Sequence, residues 1–181
     1  CSYNGDVIIN GGITLETSDF DNVKNYPEIA ERLSAEAKEN VINYILRPDK
    51  VLTGYFGGAF VNPDMPAESM QIISEKFGKS DGVQLRHLIV SFDPTELNDV
   101  SIVNEIACFT AQFIGAEYQT VFAVHEDRAH LHFHVVFNAV SYIDGHRYKG
   151  SREEYYNLYN ALTAILERFN IHKLRYVRTD N

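Results

Sequence analysis

The chain has 181 residues, of which 45% are hydrophobic, and its formal net charge is −9. This length and composition are typical of one folded domain with a buried core, and no apolar stretch is long enough to cross a membrane. The acidic charge argues against a protein that holds duplex DNA over its whole surface, because phosphate contacts require clustered Lys and Arg. Two cysteines do not make a disulfide framework, so we expect a cytoplasmic protein.

Hydrophobic periodicity and chain breakers divide the first half of the chain into four segments. They are an extension of uncertain structure over 1–26, a helix from about Pro27 to Leu46, a glycine-interrupted strand or loop over 53–62, and a short helix over 65–78. The glycines of VIINGGITLE weaken a hairpin prediction in the extension. A proline after Arg47 predicts the end of the first helix, because the residue before proline disfavours helical angles.

The second half alternates strands and helices. The predicted elements are a strand over 83–92, a helix over 98–114, strands over 117–126 and 130–142, a helix over 151–169, and a last strand over 173–178. The short link DRA makes the middle two strands a hairpin, and Ser151 with Glu154 predicts a capping box. We therefore predict a single α+β domain over 1–181, with a central, mainly antiparallel sheet and helices packed on one face.

Four of the seven histidines lie within the ten residues 125–134, at the start of the stretch HEDRAHLHFHVVFN. His130, His132 and His134 share one face of a strand, since side chains alternate along it. His125 ends the preceding strand and can fold back beside them. Three neutral imidazoles can hold one divalent ion and leave coordination positions open, which indicates a catalytic rather than a structural metal.

Plainer interpretations of these features stay open. The histidines can form the polar face of an amphipathic strand, or a structural zinc site. Asp127 can orient a ligand imidazole or cap the hairpin link. The basic, aromatic stretches over 146–152 and 172–178 suit a single strand of nucleic acid, or are simply solvated.

The pattern H-x-D-x-x-H-x-H-x-H-x-x-x-N over 125–138 resembles the third motif of plasmid relaxases, mobilization nucleases of the HUH endonuclease superfamily with one nucleophilic tyrosine. RHLIVSFDPTE (86–96) is similar to the second motif of that family, and ENVINYILRPDK (39–50) to the first. The three motifs occur in the family's order, and the resemblance covers roughly 35–170.

The resemblance implies a palm-like HUH sandwich and assigns roles to individual residues. The metal ligands would be His125, His132 and His134, and His130 would be an additional metal or phosphate contact. The catalytic residues would be Tyr44, as the nucleophile, and Asp127. Ser91 and Asn138 would contact DNA, and the basic stretch after the hairpin adds Arg147 and Lys149 as DNA contacts.

The resemblance also implies an activity. A divalent ion, Mg or Mn in function and Zn, Ni or Co as substitutes in a crystal, would polarise a phosphate. The tyrosine would nick one DNA strand at an origin of transfer and keep a 5′-phosphotyrosyl bond that can be religated. The partners would be single-stranded DNA and accessory relaxosome proteins. We expect a monomer that does not bind membranes, and further domains in the full protein.

Two other functions are compatible with the same residues. Tyr155, Tyr156 and Tyr159 follow the histidines on a helix, as in rolling-circle replication initiators, and one of them could be the nucleophile. Tyr44 would then be a helix residue packed in the core. A non-catalytic module that binds metal or DNA is the third candidate.

Overall fold

The computed structural model describes residues 5–9, 13–17, 38–49, 51–126, 130–172 and 177–178. The strands are β1 (Gly5–Ile9), β2 (Ile13–Thr17), β3 (Val51–Ala59), β4 (Leu85–Phe92), β5 (Thr120–His125), β6 (His132–Asn138) and β7 (Val177–Arg178). The helices are α1, described over 38–45, α2 (Pro66–Lys76), α3 (Val100–Gly115) and α4 (Arg152–Glu167). The predicted helix over 27–37, Asp127 and residues 173–176 of the last predicted strand lie outside the described residues.

The seven described strands form one antiparallel sheet in the order β3-β5-β6-β4-β2-β1-β7. The predicted α+β class with a mainly antiparallel sheet is therefore confirmed. The hairpin that the glycines made doubtful is present as β1 and β2, and the predicted hairpin of β5 and β6 also forms. Strands β5, β6 and β4 are neighbours in the sheet, so the second motif on β4 lies beside the histidine-bearing hairpin.

Helices cover both faces of the sheet, where the sequence predicted one. Helices α3 and α4 pack on the face that carries Phe133, Val135 and Phe137 of β6. The other face carries Val136 of β6 and is covered by α1 and α2, with Met70 of α2 fully buried there. Every residue of β5 and β6 is buried, because a strand covered on both sides exposes neither set of alternating side chains. The histidines therefore lie inside the molecule.

Helix α1 is attached to the sheet by an apolar stripe. Val41, Ile42 and Ile45 are buried against α2 and the central strands. They follow the three- and four-residue spacing that defines one face of a helix. Tyr44 lies beside this stripe and keeps 41% of its surface exposed. The packing therefore places Tyr44 at the boundary between the core and the solvent.

A buried lysine joins α1 to α2. Lys38 is only 1% exposed, and its Nζ donates to Gln71 Oε1 at 2.7 Å and to Ser74 Oγ at 3.1 Å. Asn138 of β6 continues these contacts, since its Nδ2 donates to the carbonyl of Met70 at 2.9 Å. Hydrogen bonds satisfy polar groups that would otherwise destabilise the interior, so α1, α2 and β6 are held in one arrangement.

The buried lysine predicts a pH-dependent stability. Burial lowers the pKa of Lys38 from 10.5 to about 8, with the carboxylate of Glu75 opposing the shift and Arg147 adding to it. Between about pH 8 and 10.5 the unfolded chain binds a proton that the folded chain does not, so Lys38 makes the fold more stable as pH rises. Urea unfolding should show the free energy of wild type rising relative to Lys38→Met across this window. A pH-independent difference would contradict the prediction.

Candidate active site

Backbone pairing aligns the site residues in two rows across the sheet. In the first row His125 lies opposite His132, and Ser91 lies opposite His132 on its other side. In the second row Ala123 and Ile89 flank His134. Residues that face each other on neighbouring strands point to the same side of the sheet. The strand register therefore brings the three predicted ligands together beneath α1.

The hydrogen bonds of two histidines decide which nitrogen carries a lone pair. His125 Nε2 donates to the carbonyl of Ile45 at 2.7 Å, and His132 Nδ1 donates to the carbonyl of His130 at 3.3 Å. A carbonyl oxygen can only accept, and a neutral imidazole has one donor and one acceptor nitrogen. His125 therefore presents Nδ1, and His132 presents Nε2, as the metal-binding atom.

His134 is oriented by a histidine that the sequence analysis did not select. His87 of β4 lies with its Nε2 2.7 Å from His134 Nδ1, and both rings are buried. Burial lowers the pKa of His87 to about 4, with a smaller electrostatic contribution from His125, so His87 is neutral at pH 7. A metal on His134 Nε2 requires the proton on Nδ1, which then donates to His87.

The three imidazoles fit a divalent metal ion. One nitrogen from each of His125, His132 and His134 lies within 4.8 Å of the other two. Zinc binds histidine nitrogens at about 2.1 Å, so three nitrogens this close together could share one ion. All three ligands are neutral, so a bound ion keeps its charge, and three protein ligands leave further positions for water or substrate. The residues thus match the donor set of a catalytic centre.

The end of α1 adds the predicted tyrosine to this centre. The ring of Tyr44 lies edge-on to the ring of His134, with 6.2 Å between centroids and 82° between planes. The carbonyl of the next residue, Ile45, accepts the hydrogen bond from His125. The last carbonyls of a helix lack partners within it and concentrate negative charge, which favours a cation nearby. One helix end therefore both orients a ligand and carries Tyr44.

Ser91 and His130 lie at the margin of the three histidines. Ser91 is buried beside His132, and within the described part of the chain its Oγ has no hydrogen-bond partner. A buried hydroxyl group without a partner is costly, so a phosphate oxygen there would satisfy it. His130 is half-buried, 6.0 Å from His132 between ring centroids, and lies outside the group of three that can share an ion.

The other predicted DNA contacts lie away from the histidines. Asn138 is fully buried and bonded to Met70 and Gln119, which gives it a structural role and leaves no surface for DNA. Arg147 donates to the carbonyls of Lys79 and Val83, just before β4 and at the opposite end of that strand from Ser91.

The first residue of β4 lies about 13 Å along the strand from the row of His134 and about 20 Å from the row of His132. Lys149 follows Arg147 by two residues and is exposed. Neither Arg147 nor Lys149 therefore contributes charge at the histidine centre itself.

The tyrosines of α4 and the histidines lie on opposite faces of the sheet. Leu162 and Leu166 of α4 pack into the core layer opposite α1. Tyr155 and Tyr159 stack on each other along that helix, with 6.2 Å between ring centroids. The sheet therefore separates these hydroxyl groups from the imidazoles, which counts against their use as nucleophiles by this centre.

Two site contributors were missed by sequence reasoning. Ile89 and Ser91 lie two and four residues after His87 in β4, so the alternation of side chains along a strand already places His87 on the face of Ser91. What was lacking was the pairing register that puts His87 beside His134. The carbonyl of Ile45 carries no sequence signal at all, because every residue has a carbonyl group.

The fold and site define a class of protein, an α+β domain with three buried histidines that could hold a metal ion and a tyrosine beside them. The family model of the MobA/VirD2-like relaxase nuclease domain matches residues 44–171. The chain therefore belongs to the MobA/VirD2-like relaxase family. No helix in the described ranges is long and apolar enough to span a membrane.

Individual relatives agree with this family. Protein rlx of Staphylococcus aureus is 35% identical over 78 residues, which are 43% of this chain and 24% of that protein. The group II intron-interrupted relaxase LtrB of Lactococcus lactis subsp. cremoris is 28% identical over 157 residues, 69% of this chain and 28% of that protein. The matches thus span roughly a quarter of the length of these relatives.

Proposed function

We propose that this domain is a metal-dependent relaxase that nicks one DNA strand at an origin of transfer and can rejoin it. The position of Tyr44 beside His134, 6.2 Å between ring centroids, carries the proposal. A half-exposed hydroxyl group next to three convergent, buried imidazoles combines a nucleophile with a site for a Lewis acid. The partners would be single-stranded DNA and accessory relaxosome proteins, acting with a monomeric domain in the cytoplasm.

The phenol oxygen of Tyr44 would attack the scissile phosphorus. A bond forms between Tyr44 Oη and phosphorus, the bond from phosphorus to the 3′ oxygen breaks, and that oxygen takes up a proton as the phenol loses one. The products are a 5′-phosphotyrosine and a free 3′-hydroxyl group. A phosphodiester is exchanged for a phosphodiester, so attack by a 3′-hydroxyl group reverses the step without another energy source.

The protein's own groups would position this reaction. His125, His132 and His134 would hold the ion, Mg or Mn in function, which when bound would polarise the phosphate and stabilise its developing charge. Ser91 Oγ would donate to a phosphate oxygen. His87 would keep the His134 imidazole in the tautomer that binds metal. We further propose that Asp127 is a catalytic residue. His130 would be a metal or phosphate contact, and Lys149 would be a DNA contact.

A labelled pool of random-sequence, single-stranded oligonucleotides tests the function directly. With Mn²⁺, we expect a covalent protein–DNA adduct that resists denaturation, and sequencing of the attached strands should yield one nick site. Addition of EDTA should abolish the adduct. Metal binding without any adduct would instead support the non-catalytic binding module.

A further inference from the structure

Strand β3 forms one edge of the described sheet, and it carries an aromatic side chain on the surface. Phe56 is 57% exposed. It lies opposite Ala123 of β5, which in turn lies opposite His134 of β6. The three residues form one row across the sheet. Two strand spacings of about 4.8 Å place the Phe56 backbone about 10 Å from that of His134.

The packing of its neighbour fixes the side to which Phe56 points. Tyr55 packs against the core layer beneath α3 and α4. Successive side chains of a strand point to opposite faces, so Phe56 lies on the face of the histidines. Val51, at the start of β3 and opposite His125, packs on that same face against the α1 and α2 layer. An exposed phenyl ring therefore stands on the same surface as the candidate active site.

A second aromatic pair lies at the other end of β3, against α3. Phe60 follows β3 directly and is 68% exposed, and its ring stacks on Tyr142 with 5.0 Å between centroids and 24° between planes. The Tyr142 hydroxyl group donates to the carbonyl of Gly115 at the end of α3, so Phe60 lies beside the helix that covers the face opposite the histidines. Residues 51–63 include no charged side chain, although 23% of the chain is charged. The edge is thus an uncharged, aromatic strip on an acidic protein.

We propose that the β3 edge binds the single DNA strand next to the scissile phosphate, with one base stacked on Phe56. This proposal rests on the proposed relaxase function. A domain with net charge −9 gains little affinity for DNA from its overall charge, so contacts other than charge add to its affinity. Base stacking on aromatic rings supplies such affinity for any base. The uncharged strip adds no repulsion where the backbone of the DNA must pass.

Fluorescence anisotropy with a random-sequence, single-stranded 20-nucleotide pool tests the strip. Phe56→Ala should weaken binding by between about 5-fold and 100-fold, the usual range for one stacked base. Phe60→Ala should bind within about twofold of wild type, because Phe60 lies beside α3 rather than on the histidine face, and Phe56→Trp should bind like wild type, because indole also stacks. The matched control is Phe113→Ala, since Phe113 is 45% exposed on α3 across the sheet. That variant should bind within about twofold of wild type.

A photochemical readout separates stacking from a change in fold. A thymidine 20-mer with one 5-iododeoxyuridine should crosslink to Phe56 in wild type and lose that crosslink in Phe56→Ala, while both proteins unfold at the same urea concentration. Unchanged affinity in Phe56→Ala would overturn the proposal. So would loss of a concentration-dependent dimer in Phe56→Ala with unchanged DNA affinity, which would make the edge a protein-binding strand.

These assays test DNA binding and adduct formation independently of each other. Anisotropy is measured with EDTA present, so it does not depend on the chemical step. If wild type forms an adduct but Phe56→Ala binds normally, the strip proposal fails and the relaxase function stands. If binding depends on Phe56 but no adduct forms with Mn²⁺, the relaxase function fails and the strip remains a single-strand binding surface.

Discussion

Tyr44→Phe is expected to leave the fold and the metal affinity unchanged and to lower formation of the covalent DNA adduct by more than about 1,000-fold. The substitution removes only the hydroxyl oxygen that would bond to phosphorus. The phenyl ring retains the edge-on contact with His134, where 6.2 Å separates the ring centroids. Denaturing gel electrophoresis of protein mixed with labelled single-stranded DNA and Mn²⁺ measures the adduct.

A tyrosine on the other face of the sheet is the matched control for this experiment. Tyr156 is 47% exposed on α4, and Tyr156→Phe should form the adduct at the wild-type rate. An adduct that persists in Tyr44→Phe and disappears in the phenylalanine variant of Tyr155, Tyr156 or Tyr159 would show that the nucleophile is on α4. That result would favour a replication initiator over a relaxase.

His134→Ala is expected to lower the affinity for Mn²⁺ by more than about 100-fold and to abolish the adduct. Loss of an outer hydrogen-bond partner typically costs 10- to 100-fold in metal affinity, and loss of a ligand costs more. His87→Gln should therefore show an intermediate effect, since His87 contacts His134 at 2.7 Å without itself belonging to the three ligands. Isothermal titration calorimetry measures both affinities.

The same titrations carry a pH prediction and a control. Ligand imidazoles must be neutral, and an ordinary histidine has a pKa near 6.5, so metal affinity should fall below roughly pH 6. His172→Ala removes an exposed histidine outside the group of three and should bind Mn²⁺ like wild type. Wild-type affinity in His134→Ala, or binding that is unchanged at pH 5, would rule out the three-histidine site.

Local sequence patterns predicted most of the elements near the site. Alternation placed His132 and His134 on one strand face, and the short link to His125 predicted the hairpin that β5 and β6 form. The capping box at Ser151 is present at the start of α4. These features depend on residues close together in the chain, so a short window of sequence contains the information needed to predict them.

A short window of sequence does not predict that helices cover both faces of the sheet. A strand with alternating histidines and apolar residues is typical of a sheet with one solvent-exposed face. Here α1 and α2 cover the histidine face, so His125, His132 and His134 are each at most 2% exposed. Only the packing of helices from another part of the chain distinguishes a solvated histidine strand from a buried metal centre.

The sequence by itself determined the class of fold, the histidine-bearing hairpin and the three residues that can hold an ion. The tertiary structure alone decided how these residues are oriented and what surrounds them. His125 is bonded to Ile45 across 80 residues of chain, and His134 to His87 across 47. Phe56 reaches the row of His134 only through the register of β3 on β5. Hydrogen bonding and packing act over a few ångströms in space, so contacts between distant segments exist only once the chain has folded.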